Sequence, residues 1–136
     1  MLKIIVLAAG KGTRMQSDLA KVLHPVRSLP MVEWVLRATD RLRPKASQIY
    51  VVVGHQSDRV RAVLAHRPNL IFVSQGEQKG TGHAVLQVKP YLNELNGHCL
   101  VLCGDTPLIK TKTLQELVAQ HQERRAVATV LTTRLA

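Results

Sequence analysis

With 136 residues, 46% of them apolar and 21% charged, the chain has the make-up of one globular domain or part of one, long enough to bury a core. No apolar run approaches the roughly 18 residues needed to cross a bilayer, and the N-terminal run leads straight into glycines and charges, unlike a signal peptide. The formal net charge of +10 falls mostly in residues 1–68, where 12 Lys and Arg face 4 Asp and Glu, yet aromatics at 3% leave few platforms for stacked bases. A solvated basic face, with Arg37, Arg41, Arg59 and Arg61 on helix surfaces, is the expected reading. Neither a nucleic acid nor a membrane is an expected partner, and the expected setting is the cytoplasm.

Ile4-Ile5-Val6-Leu7 reads as a buried strand, and it delivers the loop Ala8-Ala9-Gly10-Lys11-Gly12-Thr13-Arg14-Met15. Pro30 suits the first position of a helix carrying Val32, Val35, Leu36, Thr39 and Leu42 on one face, with Glu33 and Arg37 spaced to pair. Residues 49–53 form a second strand. Ser57 is placed to cap a helix with Val60, Val63 and Leu64 inside, and residues 70–73 form a third strand. A second glycine loop, 75–82, leads into a short helix with Ala84, Val85 and Val88, and His83 reads as a residue of that helix. Residues 99–103 form a fourth strand, running into Gly104-Asp105-Thr106-Pro107. Thr113 and Glu116 have capping-box spacing for a helix with Leu114, Leu117, Val118 and His121 inside. Val127 to Leu131 is expected as a fifth strand.

Strands that are continuous apolar runs, alternating with helices, predict an open, doubly wound α/β fold. Its mainly parallel sheet has helices on both faces and is Rossmann-like. Residues 1–136 form one nucleotide-binding portion, with no linker or repeat. Ligands of such sheets bind at the carboxyl ends of the strands, where three special loops fall: after Leu7, after Val73 and after Cys103. Cys99 and Cys103 are about 13 Å apart along one strand, too far for a disulfide, and are expected as buried thiols.

The first loop suits a phosphate, with glycines that let backbone N–H groups approach and with Arg14 and Lys21 as fixed charge. It is not a P-loop, since Ile5 stands where the first glycine belongs. Nor is it the dinucleotide fingerprint, since Met15 stands where a third small residue belongs. The same residues also suit a tight turn with basic residues at the surface. Asp105 suits Mg²⁺ at a strand end, or a turn closed by its own side chain. Gln75, Gly80 and Thr81 suit the edge of a base, or simply a long connection. No spacing of His and Cys suggests zinc, and no nucleophile–base pair stands out.

Taken together, Leu7 to Met15, Ser17 to His24, Gln75, Glu77 to Val85 and Gly104 to Ile109 resemble the sugar-1-phosphate nucleotidyltransferases. They are similar to the uridylyltransferase domain of the bacterial bifunctional N-acetylglucosamine-1-phosphate uridylyltransferase and glucosamine-1-phosphate acetyltransferase family. The resemblance implies transfer of UMP from UTP to N-acetylglucosamine-1-phosphate, giving UDP-N-acetylglucosamine, a cell-wall precursor, and pyrophosphate. It implies that Leu7, Ala8, Ala9, Gly10, Cys103 and Gly104 line the nucleotide and that Arg14 and Lys21 are catalytic on its phosphates. Gln75, Gly80 and Thr81 would recognise uracil, and Asp105 would hold Mg²⁺. The family usually has proline where this chain has Ala20. Its sugar-binding residues, a second metal-holding Asn and an acetyl-transferring β-helix that builds the trimer all lie downstream of residue 136. The chain is therefore expected as a truncated N-terminal part of the domain, not oligomeric by itself. A non-catalytic nucleotide-binding remnant and a relative with another base or sugar are the alternatives.

Overall fold

The structure, a computed structural model, describes residues 1–92 and 96–134. In chain order the elements are β1 (Leu2–Ala8), the two-residue strands β2 (Pro25–Val26) and β3 (Leu29–Pro30), α1 (Met31–Asp40), β4 (Gln48–Val53), α2 (Ser57–Val63), β5 (Leu70–Ser74), α3 (Thr81–Leu86), β6 (His98–Cys103) and α4 (Thr111–Glu123). Four strands form a parallel sheet in the order β5-β4-β1-β6, and β2 pairs with β3 antiparallel. The register sets Ile5 opposite Tyr50 on one side and Val101 on the other. The chain winds from β1 outward through β4 and β5, then returns to β6 on the far side of β1. That reversal opens a crevice at the carboxyl ends of β1 and β6.

The inner strands are continuously apolar because both of their faces are buried. Ile4, Val6, Val51 and Val53 pack beneath α1, α2 and α4 through Val32, Val35, Leu36, Val60, Leu114 and Val118. Ile5, Tyr50, Val52 and Val73 pack on the opposite face beneath Ala84 and Val88. Helices thus cover both faces, as the alternating pattern requires. Among the described residues, no helix is long and apolar enough to cross a membrane.

Six local expectations are corrected. Val127 to Leu131 is not a strand: it makes no ladder, and Val127, Val130 and Leu131 are exposed. A β-branched run becomes a strand only where a neighbour takes up its backbone groups. This one runs back past α4, with Thr129 Oγ1 at 2.9 Å from His121 Nδ1. Cys99 and Cys103 are free but exposed rather than buried. They share with Val101 the face of the outermost strand that α3 does not reach. Thr113 caps nothing, since α4 begins two residues earlier at Thr111, whose hydroxyl donates to the Ala38 carbonyl at 2.9 Å. Ser57 is the first residue of α2 behind Gln56, and Pro30 ends β3 one residue before α1. Val63, expected inside, is exposed.

The pairing of Glu33 with Arg37 is present at 3.1 Å, within a larger arrangement. Glu33 is 4% exposed and also receives Arg67, which in turn bridges to Asp40. Burial pushes the Glu33 pKa up, but the hydrogen bonds from Arg67 and Arg37 outweigh it and hold the carboxyl below its ordinary value. Arg61 lies over the Phe72 ring at 4.9 Å, so part of the basic surface is engaged locally.

Candidate functional site

The first loop leaves β1 through Ala8 and Ala9, both buried, and turns at Gly12. Gly12 has φ 64°, and a Cβ on it would lie 2.6 Å from the Lys21 Cβ, so only glycine lets this turn close against Lys21. Lys21 opens a short 3-10 turn anchored by the buried Ala20, Val22 and Leu23. Gln56, from the end of β4, grips that turn: its Oε1 accepts from the Ala20 N–H at 2.8 Å and its Nε2 donates to the Asp18 carbonyl. The Lys21 ammonium then meets Asp105 Oδ2 at 2.6 Å across the crevice.

Asp105 is delivered by Gly104, whose N–H donates to the Leu7 carbonyl at 2.9 Å and so carries the pairing of β6 with β1 one residue further. A Cβ on Gly104 would lie 2.8 Å from that carbonyl oxygen and 3.1 Å from Val22. Gly104→Ala is therefore expected to push the strand ends apart and destabilise the protein by about 1–3 kcal/mol, read as a lower urea midpoint. An unchanged midpoint would show that the close approach carries no constraint.

From β5, Gln75 is 5% exposed, and its Nε2 donates to the Gly80 carbonyl at 3.2 Å. Gln78, three residues on, donates from Nε2 to the Ala9 carbonyl, which ties the second loop to the first.

These elements enclose a cavity of about 350 Å³ at the carboxyl ends of the strands. Its lining includes Leu7, Ala9, Gly10, Lys21, Gln75, Gly80, Thr81, Cys103 and Asp105, so nine of the residues singled out from the sequence meet in one place. Ala8 is fully buried beneath it, and Gly104 lies behind it. Arg14, on the exposed 3-10 turn Thr13–Met15, is outside the lining. A larger hollow of about 720 Å³, bordered by Asp40, Lys45 and Arg67, lies at the opposite ends of β4 and β5. Open parallel sheets bind ligands at the carboxyl ends, so the smaller cavity is the candidate site.

Sequence reasoning missed Gln56 and Gln78 as residues of this site. Gln78 lies inside the second glycine loop, where a side-chain amide was the available signal. Gln56 follows β4 with nothing in its neighbours to mark it, and only the fold brings it to Ala20.

Electrostatically the crevice holds one cation and one anion in contact. Partial desolvation at the crevice wall, with the Asp105 carboxylate adding to it, pushes the Cys103 thiol up, and Lys21 opposes this only in part. Among the described residues, no group of three or more His, Cys, Asp and Glu could enclose a metal by itself. A single accessible carboxylate fits Mg²⁺ of the kind that arrives on substrate phosphates, where one or two protein carboxylates suffice.

Residues 4–135 match the model of the MobA-like NTP transferase domain. The protein named Bifunctional protein GlmU from Thermosynechococcus vestitus is 48% identical over 135 residues, 99% of this chain, which spans only 30% of that relative's length. Among solved structures, UDP-glucose pyrophosphorylase from Acinetobacter baumanii shares the fold at TM-score 0.68 and 21% identity, over 91% of this chain and 53% of its own. A Mycobacterium tuberculosis protein crystallised as a complex with manganese does so at TM-score 0.67 and 21% identity, over 87% of this chain and 58% of its own. The chain belongs to the MobA-like NTP transferase domain family.

Proposed function

We propose that the crevice is the nucleotide side of a uridylyltransferase site, which uses UTP and N-acetylglucosamine-1-phosphate to make UDP-N-acetylglucosamine. The observation that carries this reading is the Lys21–Asp105 pair facing the buried Gln75 amide across one cavity. One end of the cavity is thus charged for phosphates, and the other offers hydrogen bonds to a base. The 48% identity to a protein named Bifunctional protein GlmU supports the family resemblance from which these substrates are taken.

In this reading Leu7 to Gly10, Cys103 and Gly104 hold the nucleoside, and Gln75, Gly80 and Thr81 take the edge of uracil. An oxygen of the sugar phosphate attacks the α-phosphorus of UTP. A new P–O bond forms as the bond to the bridging oxygen of the β-phosphate breaks, and pyrophosphate leaves. Lys21 neutralises charge that builds on the α-phosphate, and Arg14 acts on the phosphate tail. Asp105 would hold Mg²⁺, which, when bound, supplies further charge neutralisation on the phosphates. The manganese complex of the Mycobacterium tuberculosis neighbour is consistent with a divalent ion. Positioning and charge supply the catalysis, without a covalent enzyme intermediate.

The test is pyrophosphate release by the complete enzyme with N-acetylglucosamine-1-phosphate and Mg²⁺, comparing UTP with GTP and dTTP. UTP is expected to be preferred over GTP. Equal turnover of the two would contradict the reading of the crevice as a uridine nucleotide site.

A further inference from the structure

Behind the wall of the cavity, Gln75, His83 and Gln87 stand in a row. Gln75 Nε2 donates to the Gly80 carbonyl and also lies 3.2 Å from Nδ1 of His83. On the other side of the imidazole, Gln87 Nε2 lies 3.1 Å from His83 Nε2 and donates to the His83 backbone carbonyl at 3.2 Å. An amide NH₂ only donates, and a neutral imidazole accepts at one ring nitrogen and donates at the other. The ring cannot serve both amides as they stand, so one of them must turn its oxygen toward it.

Their surroundings decide which. Gln75 is buried, and turning it would set Oε1 against the Gly80 carbonyl, leaving two acceptors facing each other where no water repairs the loss. Gln87 is only partly buried, next to the end of α3, so water can replace the bond it gives up to its own helix. Gln87 therefore turns, its Oε1 accepts a hydrogen bond from the His83 Nε2–H, and Nδ1 is left to accept from Gln75.

We infer that His83 is a positioning residue for base specificity, fixing the Gln75 amide so that an acceptor oxygen faces the crevice. Gly80 and His83 between them take both hydrogens of the Gln75 amide. Among the described residues its Oε1 has no hydrogen-bond partner. No buried side-chain N or O among the described residues lacks a partner, so this oxygen is open to the cavity that Gln75 lines. A fixed acceptor selects a base edge with a ring N–H, as uracil has, against cytosine, whose corresponding ring nitrogen is itself an acceptor. Thymine carries the same N–H, so the device separates keto from amino pyrimidines and is indifferent to the 5-methyl group. The inference rests on the proposed reading of the crevice as a uridine nucleotide site.

Two measurements test it. ¹⁵N NMR of histidine-labelled protein should show His83 as the Nε2–H tautomer in the absence of nucleotide. Calorimetric titration with UTP and CTP, each with Mg²⁺, should show the preference for UTP falling about fivefold in His83→Ala, the worth of one hydrogen bond. A purely structural role would weaken both nucleotides alike and leave their ratio unchanged. An Nδ1–H tautomer, or an unchanged ratio in the variant, would overturn the inference while leaving the uridine site standing. A wild-type protein with no preference for UTP would instead overturn the uridine site, and the specificity role of His83 with it.

Discussion

Lys21→Ala in the complete enzyme is expected to lower the rate of uridylyl transfer by about 10²-fold or more, measured as pyrophosphate release at saturating UTP. The residue is firmly held. The backbone just before its turn is held by Gln56 at Asp18 and Ala20, its neighbours Ala20 and Val22 are buried, and the Gly12 turn closes against its Cβ. A charge presented this rigidly needs little rearrangement to meet a developing negative charge, which is the condition under which electrostatic stabilisation is most effective. The same substitution should leave the fold nearly untouched. The Lys21 and Asp105 side chains are 42% and 29% exposed, and an ion pair so open to water contributes little to stability. Lys21→Ala therefore separates the two roles: a large loss of rate with a nearly unchanged urea midpoint. A variant that turns over at the wild-type rate would show that the charge of the loop is surface decoration.

The largest effect on stability is expected away from the crevice. Glu33→Ala should destabilise the protein by about 3 kcal/mol, because it leaves the largely buried Arg67 guanidinium without its principal partner. Arg67 donates to both oxygens of Glu33 at 3.0 Å and 2.9 Å, so the loss includes two charge-assisted hydrogen bonds. Asp40 remains, at 3.0 Å, and keeps the loss at the lower end of what breaking a buried pair costs. Because the folded-state pKa of Glu33 is depressed, its contribution is complete above the ordinary carboxylate value of 4.5 and fades as the pH falls through the folded value. Urea midpoints of wild type and Glu33→Ala should thus converge as the pH falls below the ordinary carboxylate value of 4.5. A gap that persists at low pH would mean that the lost packing, and not the ion pair, sets the effect.

Much of the fold was legible because its signals are local. Ile4 to Leu7, residues 49–53 and residues 70–73 are apolar on both faces, and only a buried strand of a covered parallel sheet tolerates that. Glycine and proline marked most of the remaining boundaries. The failures lie where a neighbour decides the outcome. Val127 to Leu131 has the composition of a strand but no strand beside it. Cys99 and Cys103 have the composition of a core run, yet they sit on the outermost strand beyond the reach of α3. Caps were misread by one or two residues, because Thr111 spends its hydroxyl on the Ala38 carbonyl in another helix.

The site divides in the same way. Lys21, Gln75 and Asp105 stood out because each follows a strand and lies in or near a glycine-containing loop. The strand order β5-β4-β1-β6 then brings those loops together. Gln56 and His83 were not legible as parts of the site, since one acts by holding backbone and the other by facing two amides. Neither leaves a mark in its own segment.

The most direct test of the account is calorimetric titration of the protein with UTP, with and without Mg²⁺, against GTP as competitor, in wild type and Asp105→Asn. The account predicts one UTP site per chain, binding that needs the metal and weakens in Asp105→Asn, and GTP that competes poorly. UTP binding that is absent, or equal to GTP and indifferent to both Mg²⁺ and Asp105, would contradict it.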